Sequence, residues 1–396
     1  MLRTWTSAVQ RVYPPTDEDL SAGTPVWRPA LLRERFRVLS GKVYADCVIP
    51  LASEDLEHVL GHTRPLWEKA RGRRIFLTGC TGFFGAWLLE SMVFCNRKLD
   101  LNLSATVLSR DPEKFQKRMP HLASEPALQW LQGDIRDFVF PEGDFEYVLH
   151  GAASTSAEAA AQPRELLSTL IQGSERMLAF ARACVAKSFL LASSGAVYGP
   201  QPASLSQIPE DYLGGPAWLD PNAPYASGKR VSEQMCSEFA RESDVRFTIA
   251  RCFAFVGPHL PLDQHFAIGN FIGDALAGRD IAIHGDGTPT RSYLYAADLA
   301  IWLWTMLLGE SKPETNPEVF NAGSGEAISI ADLARVVIEE LDASLGVGIA
   351  QAPADGEPRL QYVPDVTRAE TRLGLRPLIG LREAIRRTAA WHRLQT

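Results

Sequence analysis

From Arg73 to Cys252 the chain repeats one pattern: a short apolar run, a polar or glycine-bearing turn, then a stretch of helical period. The runs are Ile75-Phe-Leu-Thr78, Ala105-Thr-Val-Leu108, Gln129-Trp-Leu-Gln132, Tyr147-Val-Leu-His150, Ser188-Phe-Leu-Leu-Ala192 and Arg246-Phe-Thr-Ile-Ala250. They are β-rich and too short for helices, so they read as strands. After the first run, Trp87, Leu88, Leu89 and Met92 fall at helical spacing. Strand and helix in alternation predict an α/β fold, a doubly wound parallel sheet with helices on both faces. In such a sheet the ligand crevice lies beyond the carboxyl ends of the strands. Gly133-Asp134-Ile135, Gly151-Ala152-Ala153 and Ser193-Ser194 all follow strands, so the polar residues gather at the predicted crevice.

Residues 1–71 stand outside this pattern. Pro14-Pro15 and Gly23-Thr-Pro25 mark a loose start. Ser53-Glu54-Asp55 then reads as a helix N-cap with an acidic first turn, leading into an amphipathic helix through Leu56, Val59 and Leu60. A basic cluster, Arg71-Gly-Arg-Arg74, closes the segment, which suits a lid, a dimer arm or plain packing. The last third is less regular, with a Gly285-Asp-Gly287 turn and helical periods near 297–308, 330–341 and 381–393. The division this predicts is an N-terminal extension over 1–71, a dinucleotide-binding domain over 72–255 and a smaller lobe over 256–396. Part of 290–325 is expected to return to the first domain.

Composition narrows the class. A chain of 396 residues with 46% hydrophobic and 22% charged residues supports a sizeable core. A net charge of −7 with scattered basic residues argues against a nucleic-acid partner, though a local basic pocket for a diphosphate remains compatible. No apolar run reaches the roughly 18 residues of a membrane span. Met-Leu-Arg-Thr-Trp-Thr-Ser leads into no signal-like apolar core, so a cytoplasmic protein without membrane contact is expected. The six cysteines (47, 80, 95, 184, 236 and 252) have no C-x-x-C spacing and read as reduced and buried. His58 and His62 have i, i+4 spacing but no third ligand, so no metal is expected.

Two stretches carry the chemistry. Thr78-Gly79-Cys80-Thr81-Gly82-Phe83-Phe84-Gly85 is a glycine turn between a strand and a helix. Glycines let the backbone approach a pyrophosphate, which the free N–H groups of a helix start would hold. Downstream, Tyr225 and Lys229 are four residues apart and share one helix face, with Pro224 suited to the first turn. The ammonium there is expected to lower the phenol's pKa toward neutrality and make it a proton-transfer group. A dinucleotide site plus a proton shuttle implies redox chemistry at a carbinol carbon. Ser193 and Ser194 end a strand beside them, and Ser194 is the candidate partner of the reacting oxygen.

After the second strand the chain reads Ser109-Arg110-Asp111. An acid after this strand would hold a ribose 2′-hydroxyl, whereas Ser109 with Arg110 suits a 2′-phosphate. NADP is therefore favoured over NAD, with Asp111 left as the residue that would serve NAD. Arg291 follows a turn and can clamp a diphosphate or pair with Asp298. His265 and Asn270 are candidates for a substrate pocket, with ordinary packing as the alternative.

With these residues, the chain from about Arg73 onward resembles the extended short-chain dehydrogenase/reductases of the nucleotide-sugar epimerase/dehydratase group. The likeness rests on the glycine turn, Gly133-Asp-Ile-Arg-Asp137, His150-Gly-Ala-Ala153, Ser193-Ser-Gly-Ala-Val-Tyr-Gly199, Tyr225-Ala-Ser-Gly-Lys229, and Arg291, Tyr293 and Asp298. It implies a Rossmann fold with a smaller C-terminal α/β substrate lobe, here with an N-terminal extension, and a homodimer. By position, Ser194, Tyr225 and Lys229 form the catalytic set, and Lys229 also holds the cofactor ribose. Gly79, Thr81, Gly82, Phe83, Phe84 and Gly85 cradle the cofactor, with Ser109 and Arg110 at its ribose. Asp134 and Ile135 flank the adenine, Ala152 and Ala153 line the cofactor, and Arg291 holds the diphosphate of a nucleotide-sugar substrate.

Departures from the family pattern select among its reactions. Dehydratases of the group carry Asp and Glu at the positions matching Gly195 and Ala196, and UDP-glucuronate decarboxylases tend to keep the Glu. Neither residue here transfers a proton, which disfavours both reactions. Ala254 replaces the Asn of an R-x-x-N motif, and Leu170 stands where Asn is usual. The reading is an NAD(P)-dependent nucleotide-sugar epimerase acting at C4. A net 4-keto-sugar reductase using NADPH is the alternative, and the intact Tyr/Lys pair argues against a non-catalytic dinucleotide sensor.

Overall fold

The computed structural model describes residues 48–152, 161–217, 219–264, 266–309, 315–352 and 360–395. Seven parallel strands form the central sheet: β1 (Arg74–Thr78), β2 (Ser104–Ser109), β3 (Leu128–Gln132), β4 (Tyr147–His150), β5 (Ser188–Ser194), β6 (Arg246–Cys252) and β7 (Glu318–Ala322). Their order is β7-β6-β5-β4-β1-β2-β3, so the winding reverses between β1 and β4. That reversal opens the crevice of a doubly wound sheet at the carboxyl ends of these two strands.

The strands alternate faces with period two, and each face has its own core. Ile75, Leu77, Leu149 and Leu190 point to one side, and Phe76, Val148, Phe189 and Leu191 to the other. Helices α1 (Ser53–Lys69), α2 (Phe83–Lys98) and α5 (Ala296–Leu308) cover the first face. Helices α3 (Pro163–Ala183) and α4 (Pro224–Arg241) cover the second. Helix α5 is apolar almost all round, and nearly every residue is buried. A helix of that kind is stable only inside a core. Together with β7 it carries the chain back from the lobe to the sheet.

Helix α1 is packed into the first layer. Trp67 is wholly buried, edge-on to Trp304 with ring centroids 4.7 Å apart. Burial of such a side chain contributes about 1.5–3 kcal/mol or more. The expected Ser53 cap is displaced by one residue. Ala52 holds the cap position without a side-chain bond, and Ser53 is already helical. Tertiary contacts fix this end instead: Tyr295 Oη donates to Asp55 Oδ2 at 2.7 Å and Arg387 Nη1 to Asp55 Oδ1 at 2.7 Å.

The smaller lobe contains helices 267–276, 330–341 and 381–393 and short strands at 281–283, 290–291, 328–329, 347–349 and 361–362. Strand 290–291 lies between 328–329 and 361–362. This places Arg291 beside Tyr362.

Candidate active site

The glycine turn joins β1 to α2, and its three glycines answer to different constraints. Gly79 has φ +75°, and a Cβ there would lie 2.2 Å from the Gly151 carbonyl oxygen. The turn and the end of β4 therefore touch backbone to backbone. A Cβ on Gly85 would lie 2.2 Å from the Cys80 backbone. Gly82 faces open space, with nothing within 4 Å of an added Cβ, and stands at the α2 N-cap without a side-chain cap. This open, uncapped helix start fits a pyrophosphate, because its N–H groups and dipole favour an anion. Phe84 packs edge-on against Phe255 at 5.0 Å, Phe83 against Phe84 at 5.8 Å, and the Thr81 carbonyl accepts from Arg118 at 2.7 Å.

A buried polar chain runs beneath the turn. Thr78 Oγ1 accepts from the N–H groups of Gly151 and Ala152 at 3.2 and 3.3 Å and meets His150 Nδ1 at 3.1 Å. His150 Nε2 meets Ser174 Oγ at 3.2 Å, and Ser174 donates to Ser232 at 2.8 Å. Since the Ser174 proton goes to Ser232, proton accounting assigns the His150 proton to Nε2. Burial, reinforced by the Lys229 ammonium, lowers His150 from 6.5 to about 3. An unfolded chain takes up a proton here below 6.5, whereas the folded chain resists until about 3. The contribution is complete above the upper value and is lost as pH falls toward the lower one, by up to about 5 kcal/mol. His150→Gln is expected to flatten the decline in unfolding free energy between about pH 6 and 4. Denaturant melts at those pH values check this, and an unchanged slope would count against it.

At the end of β2, Ser109 Oγ accepts from Asp111 N at 3.2 Å, and the Asp111 carboxylate caps the next helix at Lys114 N, 3.0 Å away. Asp111 is thus engaged locally, whereas the Arg110 side chain is exposed. After β3, the Asp134 carboxylate is held by Arg136 at 2.7 and 2.9 Å, which keeps it below the usual carboxylate range. Ile135 is buried against Gly173, where a Cβ would lie 2.9 Å from its Cγ2. Ala152 is partly buried at the end of β4; Ala153 lies outside the described residues.

Beyond β5 and at the start of α4, Ser194, Tyr225 and Lys229 come together. Ser194 lies near the Tyr225 phenol and opposes its upward shift, and Ser194 Oγ accepts from Ala196 N at 3.2 Å. Lys229 is buried and donates from Nζ to the Ala192 carbonyl at 2.6 Å. The expected lowering of the phenol by Lys229 is not found. Burial pushes Tyr225 up to about 12, opposed by Ser194, and the ammonium's hydrogen bond goes to Ala192. Burial also lowers Lys229 to about 8.

Two further groups at this site carry no sequence motif. A Cβ on Gly195 would lie 2.7 Å from both the Tyr362 hydroxyl and the Phe253 ring. These side chains occupy the space that a carboxylate at 195 would need. Behind them Glu233 accepts from Ser193 Oγ at 2.5 Å and from Arg251 at 2.7–3.2 Å. The sole advance signal for Glu233 was its position one helical turn after Lys229.

Arg291 Nη1 donates to the Thr290 carbonyl at 2.9 Å, and its guanidinium lies 5.9 Å from the centre of the Tyr362 ring. The alternative pairing with Asp298 is not formed. Asp298 bonds His58 Nε2 at 2.9 Å and accepts from the backbone of Leu378 and Ile379 at 2.8 and 2.9 Å. Asn270 lines a cleft of about 580 Å³ in the lobe, with Phe271, Arg279 and His284 on its walls. His265 lies outside the described residues. Among the described residues, no helix is long and apolar enough to cross a membrane.

The profile of the NAD dependent epimerase/dehydratase family matches residues 75–323. UDP-glucuronic acid decarboxylase 2 of Arabidopsis thaliana is 28% identical over 321 residues, covering 81% of this chain and 68% of its own length. The UDP-N-acetylglucosamine 4-epimerase of Methanobrevibacter ruminantium superposes with a TM-score of 0.70 at 21% identity, covering 82% of this chain and all of that one. The UDP-glucose 4-epimerase of Thermotoga maritima gives 0.65 at 24% identity, covering 81% and 98%. At such identities the structural likeness speaks to fold alone.

Proposed function

Because the chain belongs to the NAD dependent epimerase/dehydratase family, and is thus an enzyme of the extended short-chain dehydrogenase/reductase type, we propose that it epimerises a nucleotide sugar at C4 through a transient 4-keto sugar. The observation that carries this reading is the Ser194–Tyr225 pair in a cluster whose adjoining positions, Gly195 and Ala196, hold no acid. Epimerisation needs one proton moved from the carbinol oxygen and back, and Tyr225 is the group for it. Ser194 holds the same oxygen, and Lys229 adds positive charge beneath the site. The bound dinucleotide supplies a hydride acceptor and donor. The turn from Gly79 to Gly85 would hold its pyrophosphate, and Ser109 with exposed Arg110 favours a 2′-phosphate, hence NADP. Arg291 would clamp the substrate diphosphate, and the cleft at Asn270 would take the rest of the nucleotide.

The decarboxylase relative favours a second reading, loss of carboxylate from a uronic acid through the same 4-keto stage. Ala196 counts against it, having no carboxyl where that group tends to keep Glu.

Incubation with UDP-galactose, UDP-glucuronic acid and a set of dTDP-, GDP- and CDP-sugars, read by NMR, distinguishes these outcomes. The expected product is a mixture of C4 epimers without net cofactor consumption. A pentose product would establish the decarboxylase instead, net oxidation of NADPH the reductase, and no change with any sugar would remove the epimerase reading. Denaturing the purified protein should release NADP; release of NAD alone would overturn the cofactor preference.

A further inference from the structure

The glycine turn holds a cation that its motif does not predict. Arg118, at the end of the helix Pro112–Arg118, donates from Nη2 to the Thr81 carbonyl at 2.7 Å. Thr81 directly precedes Gly82, the uncapped start of α2. The guanidinium also lies 5.4 Å from the centre of the Phe115 ring. Among the described residues its partners are thus a carbonyl and a ring, and neither cancels its charge. The side chain stays open to solvent, yet partial desolvation lowers its pKa with no acid to offset the shift. The acids of this region are engaged elsewhere. Glu113 pairs with Lys117, the Asp111 carboxylate accepts from Lys114 N, and Asp134 is held by Arg136.

Topology gives this cation its meaning. β1 and β2 are neighbouring parallel strands with Thr78 opposite Leu108, so the glycine turn and Ser109-Arg110 leave the sheet side by side. The helix Pro112–Arg118 has seven residues and is only about 10 Å long. Its two flanks put one guanidinium at the end of β2 and another on the turn. In a doubly wound sheet the ribose 2′-position of a dinucleotide is read at the end of this second strand. A phosphate monoester there carries close to two negative charges, more than Arg110 alone can neutralise. A guanidinium has five N–H donors in a fork that matches phosphate oxygens. One Arg118 donor meets Thr81, and the fork keeps others for an anion.

We propose that Arg118 is a cofactor-specificity residue that holds the 2′-phosphate of NADP together with Arg110. This rests on the reading of the cofactor as NADP.

Adenosine 2′,5′-bisphosphate and 5′-AMP differ only in the 2′-phosphate, so calorimetric titration of the full chain with each, after exchange of any retained nucleotide, is the test. The parent is expected to prefer the bisphosphate. Arg118→Gln should weaken the bisphosphate by about ten- to a hundredfold, the range for a charge-assisted hydrogen bond, and leave 5′-AMP within about twofold. Arg118→Lys keeps the charge without the fork and should retain an intermediate preference. Val48 N bonds the Arg118 backbone carbonyl at 2.9 Å, a contact that both substitutions preserve, so melting temperatures should stay near the parent's. Equal losses for the two ligands, or an unchanged bisphosphate affinity in Arg118→Gln, overturn the inference and leave the NADP reading intact. If the parent itself binds the two ligands alike, the NADP reading has failed, and this inference with it.

Discussion

Tyr225→Phe is expected to slow turnover by about a hundred- to ten-thousandfold, the range typical for loss of a positioned general acid or base. Removing one oxygen leaves the ring and its packing in place. Ser194 keeps its bond from Ala196 N, and Lys229 keeps its bond to the Ala192 carbonyl. The loss should therefore fall on kcat, with little change in KM or melting temperature. Rates on the substrate identified by NMR check this. Turnover within about threefold of the parent, well short of the usual effect, would remove Tyr225 from the mechanism. Burial pushes the phenol up to about 12, so the site must supply stabilisation before this group can act as a base near neutral pH.

The second large effect concerns stability. Glu233→Ala is expected to cost about 3–5 kcal/mol, the usual range when one partner of a buried ion pair is removed. Arg251 and Glu233 side chains are only 15% and 10% exposed, and Arg251 approaches both carboxylate oxygens. The guanidinium cannot shed its proton, so it would remain charged with its carboxylate gone. It would keep the Glu210 carbonyl at 3.1 Å and the Tyr198 ring at 4.7 Å, which do not neutralise it. Denaturant unfolding at neutral pH measures the loss, with Glu233→Gln as the milder comparison. A loss below about 1 kcal/mol, the scale of an exposed pair, would mean that the pair is effectively solvated. Ser193 also donates to Glu233, so the substitution should loosen the end of β5, where Ser194 begins its work.

Much of the architecture was legible before any coordinates. The six sequence-predicted strands all lie within strands of the sheet; the inner ones are marked by mostly apolar runs, while β3 at the sheet edge is half-exposed and carries Gln129 and Gln132. The glycine turn was legible for a steric reason, since Gly79 and Gly85 sit where a Cβ would collide with backbone. What escaped were partnerships. The Ser53 cap gave way to contacts of Asp55 with Tyr295 and Arg387, and Arg291 lost Asp298 to His58. The Tyr–Lys spacing predicted a shared helix face but not the ammonium's choice of the Ala192 carbonyl. Tyr362 had no motif to mark it, since its importance comes from the space beside Gly195.

The sequence by itself determined the alternation of strands and helices, the turn that approaches a pyrophosphate, and the family to which the chemistry belongs. These follow from local periodicity and from steric limits on a few consecutive residues. Only the tertiary structure decided which hydroxyl, carboxylate or carbonyl each polar group would meet. Asp55 meets Tyr295, and His58 meets Asp298, across long stretches of chain. Hydrogen bonds and ion pairs act over a few ångströms of space, and distance along the chain does not specify them.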